Sequence, residues 1–380
     1  MPRVFLIGTF ETKSAELGYL SEALARSGLD VTPVDVSLAS GGVRLTGADK
    51  IARMEARAQS AAEKMARNTP DHAVAVGVGG GTGGEIVLAA LKGLPATYPK
   101  ILVTTMAFDP RAALADSAIT LVPTLCDIEG LNPMLRQVFE NTAAMAAGLV
   151  EARTAPALGR GSVAMTTLGA TGPAALETVK ALATYGLEAT VFHANGYGGA
   201  AFARFVEEGR ADAVIDLNVH ELGRVRLAGA HVPIPTRFTA AGALPCVVLP
   251  GALNFIGLGA IDTVPQAYLS RPHYRHSGYF THVKLTEAEM SDQAAALAAL
   301  LNARDTPADV LIPMGGFSHE DRPGGAIEDP VLREIAADIL EGHARRYRVE
   351  RLDAHINSQL TAARAAALLA EAIGPRSMHA

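Results

Sequence analysis

The chain has 380 residues, 49% of them hydrophobic and 19% charged, which is enough to form the cores of two ordinary domains. Its net charge of −6 and the lack of a basic cluster argue against nucleic acid and membrane surfaces as partners. The sequence has no stretch of roughly 18 apolar residues that would span a membrane, and its first apolar run is too short for a signal peptide. Its two cysteines cannot form a disulfide framework. A cytoplasmic protein is therefore expected.

The first part of the chain alternates segments typical of strands with segments typical of helices. Two helices are predicted, over Ser14–Ser27 and over the amphipathic segment Asp49–Arg67. Strands that alternate with helices indicate an α/β fold with a mostly parallel sheet covered on both faces. The apolar runs predict strands at Val4–Thr9, Leu29–Val36, Ala73–Val78, Lys100–Thr105 and Ala118–Pro123.

The first predicted strand runs into the sequence GTFETKSAE, which begins at Gly8. This turn places Thr9, Thr12 and Lys13 where a strand gives way to a helix. Lys13 would contact a phosphate as a point charge, with the threonine hydroxyls donating hydrogen bonds beside it. The spacing differs from that of a Walker A loop, and a helix cap formed by Thr12 is the alternative interpretation.

The third predicted strand leads into GVGGGTGG, in which six of the eight residues from Gly77 to Gly84 are glycines. A helix is predicted to follow over Glu85–Leu91, so the backbone N–H groups of the turn would point toward one space. Because each glycine loses conformational entropy on folding, we expect that an anion, most often a phosphate, approaches this backbone closely. The alternative is a tight turn that packs closely on the sheet. The residues expected to bind the anion are Gly80, Gly81, Thr82, Gly83 and Gly84.

The pattern of strand, glycine- and threonine-rich turn and helix starts again after residue 160. It begins with GSVAMTTLGATGPAALETVKALATYGLEATVFHANG. The second domain continues through FTHVKL, a helix that Thr286 and Glu289 would cap and a strand predicted in DVLIPM. We interpret the chain as two similar Rossmann-like domains, residues 1–155 and 156–380, with a ligand-binding cleft between them.

Two predicted strand ends of the second domain carry acidic and imidazole side chains. His193 ends one strand in HANGYGGAAF, and Asp216, His220 and Glu221 follow from the next in DLNVHELG. The carboxyl ends of parallel strands are where open α/β sheets bind ligands. His193 and Glu221 are therefore predicted to transfer protons in one cleft, with Asp216 and His220 as further candidates. A hydrogen-bonded structural histidine is the alternative for His193.

Two later loops are weaker candidates for a site. RPHYRHSGYFTH would hold zinc through its histidines, although it lacks the spacing of zinc motifs and its arginines suit carboxylate or phosphate better. FSHEDRPGGAIEDP would hold Mg²⁺ through its acids, or those acids are solvated loop charges. The residues in question are His273, His276 and His282 in the first loop and Glu320, Asp321 and Asp329 in the second.

Taken in order, these motifs resemble a known family, the ATP-binding domain of the tomato mosaic virus resistance protein and its bacterial relatives. GTFETKSAE is similar to the family's Gly-Thr-x-Asp-Thr-Lys opening, and the turn Gly80–Gly84 is similar to its Gly-Gly-Ser-Gly-Gly-Thr motif. The similarity covers nearly the whole chain and continues through IEGLNPMLRQVFENTAAMAAG, FHANGYGGAAF, DLNVHELG, PGALNFIGLG, TVPQAYLSRPHYRH and HIN.

The resemblance implies two α/β domains, binding of ATP and a homodimer. In some relatives the two α/β domains accompany a barrel domain that resembles phosphoenolpyruvate mutase or hydrolase. The resemblance therefore also implies a metabolic enzyme with a small-molecule substrate, and a barrel domain of this kind as a partner.

The chain departs from the family pattern in its turns. Glu85 replaces a threonine beside the glycine turn, where a carboxylate would repel a polyphosphate unless Mg²⁺ intervenes, and Asn254 replaces an aspartate. These changes leave two alternatives to an enzyme that uses ATP or another phosphate ligand. One is a nucleotide-independent hydrolase or carbon–carbon lyase that binds a carboxylate or keto acid. The other is a regulatory binding module without catalysis.

Overall fold

The computed structural model describes residues 2–38, 47–67, 73–107, 109–151, 161–229 and 234–374. The chain forms two compact units, Met1–Pro156 and Ala157–Ala380, and each unit is described by itself. The cleft expected between them stays a prediction. Within the described ranges, no helix is both long enough and apolar enough to cross a membrane.

The N-terminal unit is a five-stranded sheet flanked by helices, which confirms the predicted α/β class. All neighbouring strands are parallel, in the order β2-β1-β3-β4-β5. From β1 the chain adds β2 on one side and then β3, β4 and β5 on the other, so the strand order reverses between β1 and β3. The elements are β1 Arg3–Gly8, α1 Ser14–Arg26, β2 Asp30–Asp35, α2 Gly47–Arg67, β3 Ala73–Gly79, α3 Gly81–Lys92, β4 Lys100–Thr104, α4 Arg111–Leu114, β5 Ile119–Pro123 and α5 Pro133–Glu151.

Strand β1 is buried on both faces because its side chains alternate between two helix layers. Val4 and Leu6 pack on one face with α1 and α5. Phe5 and Ile7 pack on the other face with α2 and α3. The sheet therefore has helices on both sides, and only its edges and strand ends face solvent.

The C-terminal unit repeats this plan with six parallel strands in the order β14-β13-β9-β8-β6-β7. Its order reverses between β6 and β8. The elements are β6 Ser162–Thr167, α6 Gly172–Ala183, β7 Glu188–His193, α7 Tyr197–Glu207, β8 Ala213–Asn218, α8 His220–Arg226, β9 Cys246–Gly251, β10 Phe255–Leu258, α9 Gln266–Leu269, β11 His273–Arg275, β12 Thr281–Lys284, α10 Glu287–Asn302, β13 Ala308–Pro313, α11 Pro330–Gly342, β14 Tyr347–Leu352 and α12 Gln359–Ile373.

Two local features of the C-terminal unit bear on the sequence predictions. Thr286 and Glu289 form the predicted capping box at the start of α10. The segment FTHVKL contains β12, which pairs antiparallel with β10 and β11 in a separate three-stranded sheet. This sheet was not predicted, because pairing partners are set by tertiary contacts.

The glycine turn of the N-terminal unit differs from its prediction in where the helix begins. Helix α3 starts at Gly81, four residues before the predicted start at Glu85, so three of the glycines form its first turn. A Cβ on Gly79 would lie 2.4 Å from the backbone N of Gly84, and one on Gly77 would lie 2.1 Å from Cγ1 of Val87. Close approach of helix to strand, and not a positive φ, is what requires glycine at these two positions.

We expect Gly79→Ala to destabilise the N-terminal unit by about 1–3 kcal/mol or more, because the added methyl group overlaps backbone atoms. Gly18→Ala is the matched control, since a Cβ at this exposed position in α1 meets nothing within 4 Å. That control should stabilise the helix by about 0.5–1 kcal/mol. Urea unfolding followed by circular dichroism measures both effects, and equal stability of the two variants would show that the close approach is not a constraint.

Candidate functional site

A cavity of about 450 Å³ lies at the carboxyl ends of β1 and β3 in the N-terminal unit. This is where the strand order reverses, which is the usual ligand position in open α/β sheets. Seven of the eight residues predicted to bind the anion line this cavity, and the eighth, Gly84, is buried. The cavity is lined by Thr9, Glu11, Thr12, Lys13, Ser37, Leu38, Gly79, Gly80, Gly81, Thr82, Gly83, Ile86, Asp127, Ile128 and Glu129.

The first turn of α3 forms one wall of this cavity. The first bond into the helix runs from the N–H of Gly84 to the carbonyl of Gly80, so the N–H groups of Gly81, Thr82 and Gly83 have no intrahelical acceptor. A Cβ on Gly81 would meet nothing within 4 Å, and one on Gly83 would come only to 3.6 Å from Thr9. The space beside these glycines is therefore open to a ligand. Free N–H groups at the positive end of a helix dipole favour an anion as that ligand.

Two lysines and two hydroxyls surround the same turn. Nζ of Lys50, on α2, donates to Oγ1 of Thr82 at 3.0 Å, and the Oγ1 atoms of Thr9 and Thr12 are 3.0 Å apart. Lys13 lines the cavity and bonds to residues that follow β5. The sequence analysis missed Lys50, because it is 32 residues from Thr82 and its first-turn position in an amphipathic helix is typical of a solvated charge.

Acidic side chains also lie in and near the cavity. Glu11, Asp127 and Glu129 line it and are exposed, and sequence reasoning found none of them. Glu85 is exposed on α3 and does not line the cavity. The carboxylates that would face a bound anion are therefore those of the loops after β1 and β5, and not that of Glu85.

The second glycine turn, between β7 and α7, is filled by the protein itself. Oε1 of Glu221 accepts a hydrogen bond from the N–H of Gly196, just before α7. A Cβ on Gly199 would lie 2.1 Å from Oε2 of Glu221. The fully buried carboxylate of Glu221 thus lies against the first turn of α7, where an external anion would otherwise bind.

Arg237 holds both acidic candidates of the C-terminal unit. Its guanidinium is fully buried and donates to Oε2 of Glu221 at 2.6 Å, to both carboxylate oxygens of Asp216 at 2.8 and 2.9 Å, and to the carbonyl of Asn218. Burial alone would lower the pKa of Arg237, but the charges and hydrogen bonds of the two carboxylates raise it. Arg237 was not predicted, because it lies outside any predicted element and 16 residues from Glu221.

His193 lies at the end of β7, an edge strand, and is exposed. Desolvation lowers its pKa and the negative charge of Glu221 opposes that shift, so the two residues are within electrostatic range. Glu221 is nevertheless buried and bonded to Arg237 and Gly196, which favours a structural role for its carboxylate. Proton transfer by His193 and Glu221 stays a prediction.

His220 is buried in the C-terminal unit together with other aromatic and imidazole rings. Its Nδ1 bonds to the carbonyl of Ala252 at 3.1 Å, and its ring lies 4.6 Å from that of Phe255. Burial lowers the pKa of His220 to about 3 and that of His282 to about 2. Nδ1 of His282 bonds to the hydroxyl of Tyr274 at 2.8 Å.

The residues considered for metal sites in the later loops have other partners in the structure. Within the described residues, no group of three or more His, Cys, Asp or Glu side chains is arranged to hold a metal ion. His273 and His282 make hydrogen bonds through Nδ1, and the ring of His276 stacks on that of His282. In the second loop Asp321 pairs with Arg333 and Asp329 pairs with Lys284. Both metal interpretations stay predictions.

We expect Arg237→Met to destabilise the C-terminal unit by about 3–5 kcal/mol, because two buried carboxylates would lose their counter-ion. Arg226→Met is the control, because it removes an ion pair whose two side chains, Arg226 and Asp292, are 39% and 53% exposed, and it should cost about 1 kcal/mol or less. Thermal or urea unfolding of both variants gives the comparison. Equal losses would show that the buried cluster does not hold this unit together.

The buried histidines predict a pH dependence of stability. Their lowered pKa values mean that the unfolded chain binds more protons than the folded one below about pH 6.5, so the free energy of unfolding falls as the pH is lowered from there toward the folded values. Replacing His282 with Gln should reduce this slope by about 1.4 kcal/mol per pH unit between about pH 5.5 and 4. Urea unfolding at a series of pH values measures the slope, and an unchanged slope would contradict the buried, neutral state of His282.

The comparisons with known proteins agree with this two-unit architecture. The N-terminal domain model of the Uncharacterised protein family (UPF0261) matches residues 43–155, and its C-terminal domain model matches residues 160–373. A UPF0261 protein of Mesorhizobium japonicum is 32% identical over 97% of this chain and 99% of its own length, and one of Rhizobium meliloti is 31% identical over 99% and 100%. The ToMV resistance protein Tm-1 of Solanum lycopersicum is 28% identical over 94% of this chain and 54% of its own length. The chain belongs to the UPF0261 family.

Proposed function

We propose that the N-terminal unit binds ATP or another phosphate-bearing small molecule in the cavity between the ends of β1 and β3. One observation carries this proposal: the first turn of α3 presents the N–H groups of Gly81, Thr82 and Gly83 to the cavity. Lys13 lines the same cavity, and Lys50 donates a hydrogen bond to the hydroxyl of Thr82. Backbone donors at a helix N-terminus with nearby lysines are the usual means of binding phosphate.

The C-terminal unit supports this interpretation by contrast. Its own glycine turn has the same position after a strand, and a carboxylate already lies against it, that of Glu221. The turn in the N-terminal unit has no such internal group among the residues that the structure describes, and its glycines leave the approach open. An external anion is the group that would complete it.

The carboxylates at the cavity bear on which ligand would bind. Glu11 and Asp127 are exposed at its wall and would repel a bare polyphosphate. A Mg²⁺ complex of ATP would reduce this repulsion, since Mg²⁺ binds phosphate together with one or two carboxylates. We therefore propose ATP with Mg²⁺ as the first ligand to test, in an enzyme acting on a small molecule. Pyruvate, a keto acid, represents the alternative ligand class.

Isothermal titration calorimetry with ATP and Mg²⁺, with inorganic phosphate and with pyruvate tests the proposal. We expect ATP to bind wild type, and Gly83→Val to weaken binding by about 10–100-fold, because its side chain would cover N–H groups that hydrogen-bond a charged ligand. Gly148→Val in α5 is the matched control, since a Cβ there meets nothing within 4 Å, and it should leave the affinity unchanged.

The possible outcomes separate the hypotheses. Binding of pyruvate without ATP or phosphate would favour the carboxylate-binding hydrolase or lyase. Equal affinity of Gly83→Val and wild type for ATP, with both proteins folded, would place the ligand elsewhere. If none of the three probes binds, the proposed function is wrong.

A further inference from the structure

Lys13 is already paired within the cavity where a ligand anion would bind. Its Nζ donates to the carbonyl of Ile128 and to Oε1 of Glu129, the latter at 2.9 Å. The side chain of Lys13 is 19% exposed and that of Glu129 is 77% exposed. An inward-facing ammonium group is thus held by a carboxylate that stands largely in solvent.

The segment that carries Glu129 has a second attachment to α1. The N–H of Gly130 donates to Oε1 of Glu16 at 2.7 Å, and Glu16 is a buried residue in the first turn of α1. This bond does not involve Lys13. The carboxylate of Glu129 can therefore leave Lys13 by a rotation of its own exposed side chain while the backbone of the segment stays attached.

Glu129 gives Lys13 what a ligand phosphate would give it, an anionic oxygen at hydrogen-bonding distance. An ion pair with so exposed a carboxylate contributes little to stability. A phosphate group carries more negative charge than a carboxylate and attracts the same ammonium group more strongly. These two differences favour a phosphate over Glu129 as the partner of Lys13.

We propose that Glu129 is an internal competitor for the ligand: it occupies Lys13 in the empty cavity and is displaced when the phosphate group binds. This inference rests on the proposed function and adds a regulatory contact to the same site. Wild type should therefore bind the ligand more weakly than a variant that lacks the Lys13–Glu129 pair, because this pair must break before the phosphate can contact Lys13.

The test compares the affinity for ATP with Mg²⁺ in four variants by calorimetry. Glu129→Gln should tighten binding by about two- to fivefold, the range for an exposed ion pair. Glu85→Gln is the matched control: Glu85 is an exposed acid on α3 that does not line the cavity, and among the described residues it makes no ion pair with Lys13. It should change the affinity by less than about 1.5-fold, since only a screened, longer-range charge is lost.

The last two variants isolate the pair. With Lys13→Met in the background, adding Glu129→Gln should give no more tightening than Glu85→Gln gives in wild type. Equal effects of Glu129→Gln and Glu85→Gln in wild type, or the same tightening with and without Lys13, would overturn the inference while leaving the proposed function standing.

A second readout needs no ligand. The rate at which an acetylating reagent modifies Lys13, followed by mass spectrometry, should rise in Glu129→Gln relative to wild type and Glu85→Gln, because the amine is no longer held in an ion pair. Unchanged rates would overturn the pairing. If neither wild type nor Glu129→Gln binds ATP, the proposed function and this inference both fail.

Discussion

The close approach of helix α3 to the end of strand β3 is the constraint on which the candidate site depends. Gly79 allows the backbone of the first helical turn to lie where any Cβ would be, and Gly77 accommodates Val87 in the same way one turn farther along. This packing brings the first N–H groups of α3 to the edge of the sheet, next to the end of β1. The lysines, threonines and acids of the cavity are grouped around a helix end placed by that contact.

The same kind of turn is filled by a side chain in one unit and lies at a cavity in the other. In the C-terminal unit the carboxylate of Glu221 lies on the first turn of α7 and is fixed by Arg237, which also binds Asp216. A buried, paired carboxylate at this place gives the turn a structural role. In the N-terminal unit the corresponding space is a cavity, at which Lys13 pairs with Glu129, a side chain that is 77% exposed.

Local sequence signals predicted the elements well and their partners poorly. Apolar runs such as Ala73–Val78 identify strands because burial on both faces requires them, and the Thr286–Glu289 capping box depends only on neighbours in the chain. The early start of α3 was missed because glycine disfavours helix, and tertiary packing overrides that preference. Lys50, Glu129 and Arg237 were missed because their partners lie far away in the sequence, and only the folded sheet brings them together.

The central claim is that the N–H groups at the start of α3 bind a phosphate. Backbone amide NMR of the ¹⁵N-labelled chain during titration with ATP and Mg²⁺ observes those groups directly. The account predicts that the signals of Gly81, Thr82 and Gly83 shift together and saturate, while that of Gly199, where Glu221 fills the turn, does not move. Shifts confined to other residues, or none at saturating ATP, would contradict it.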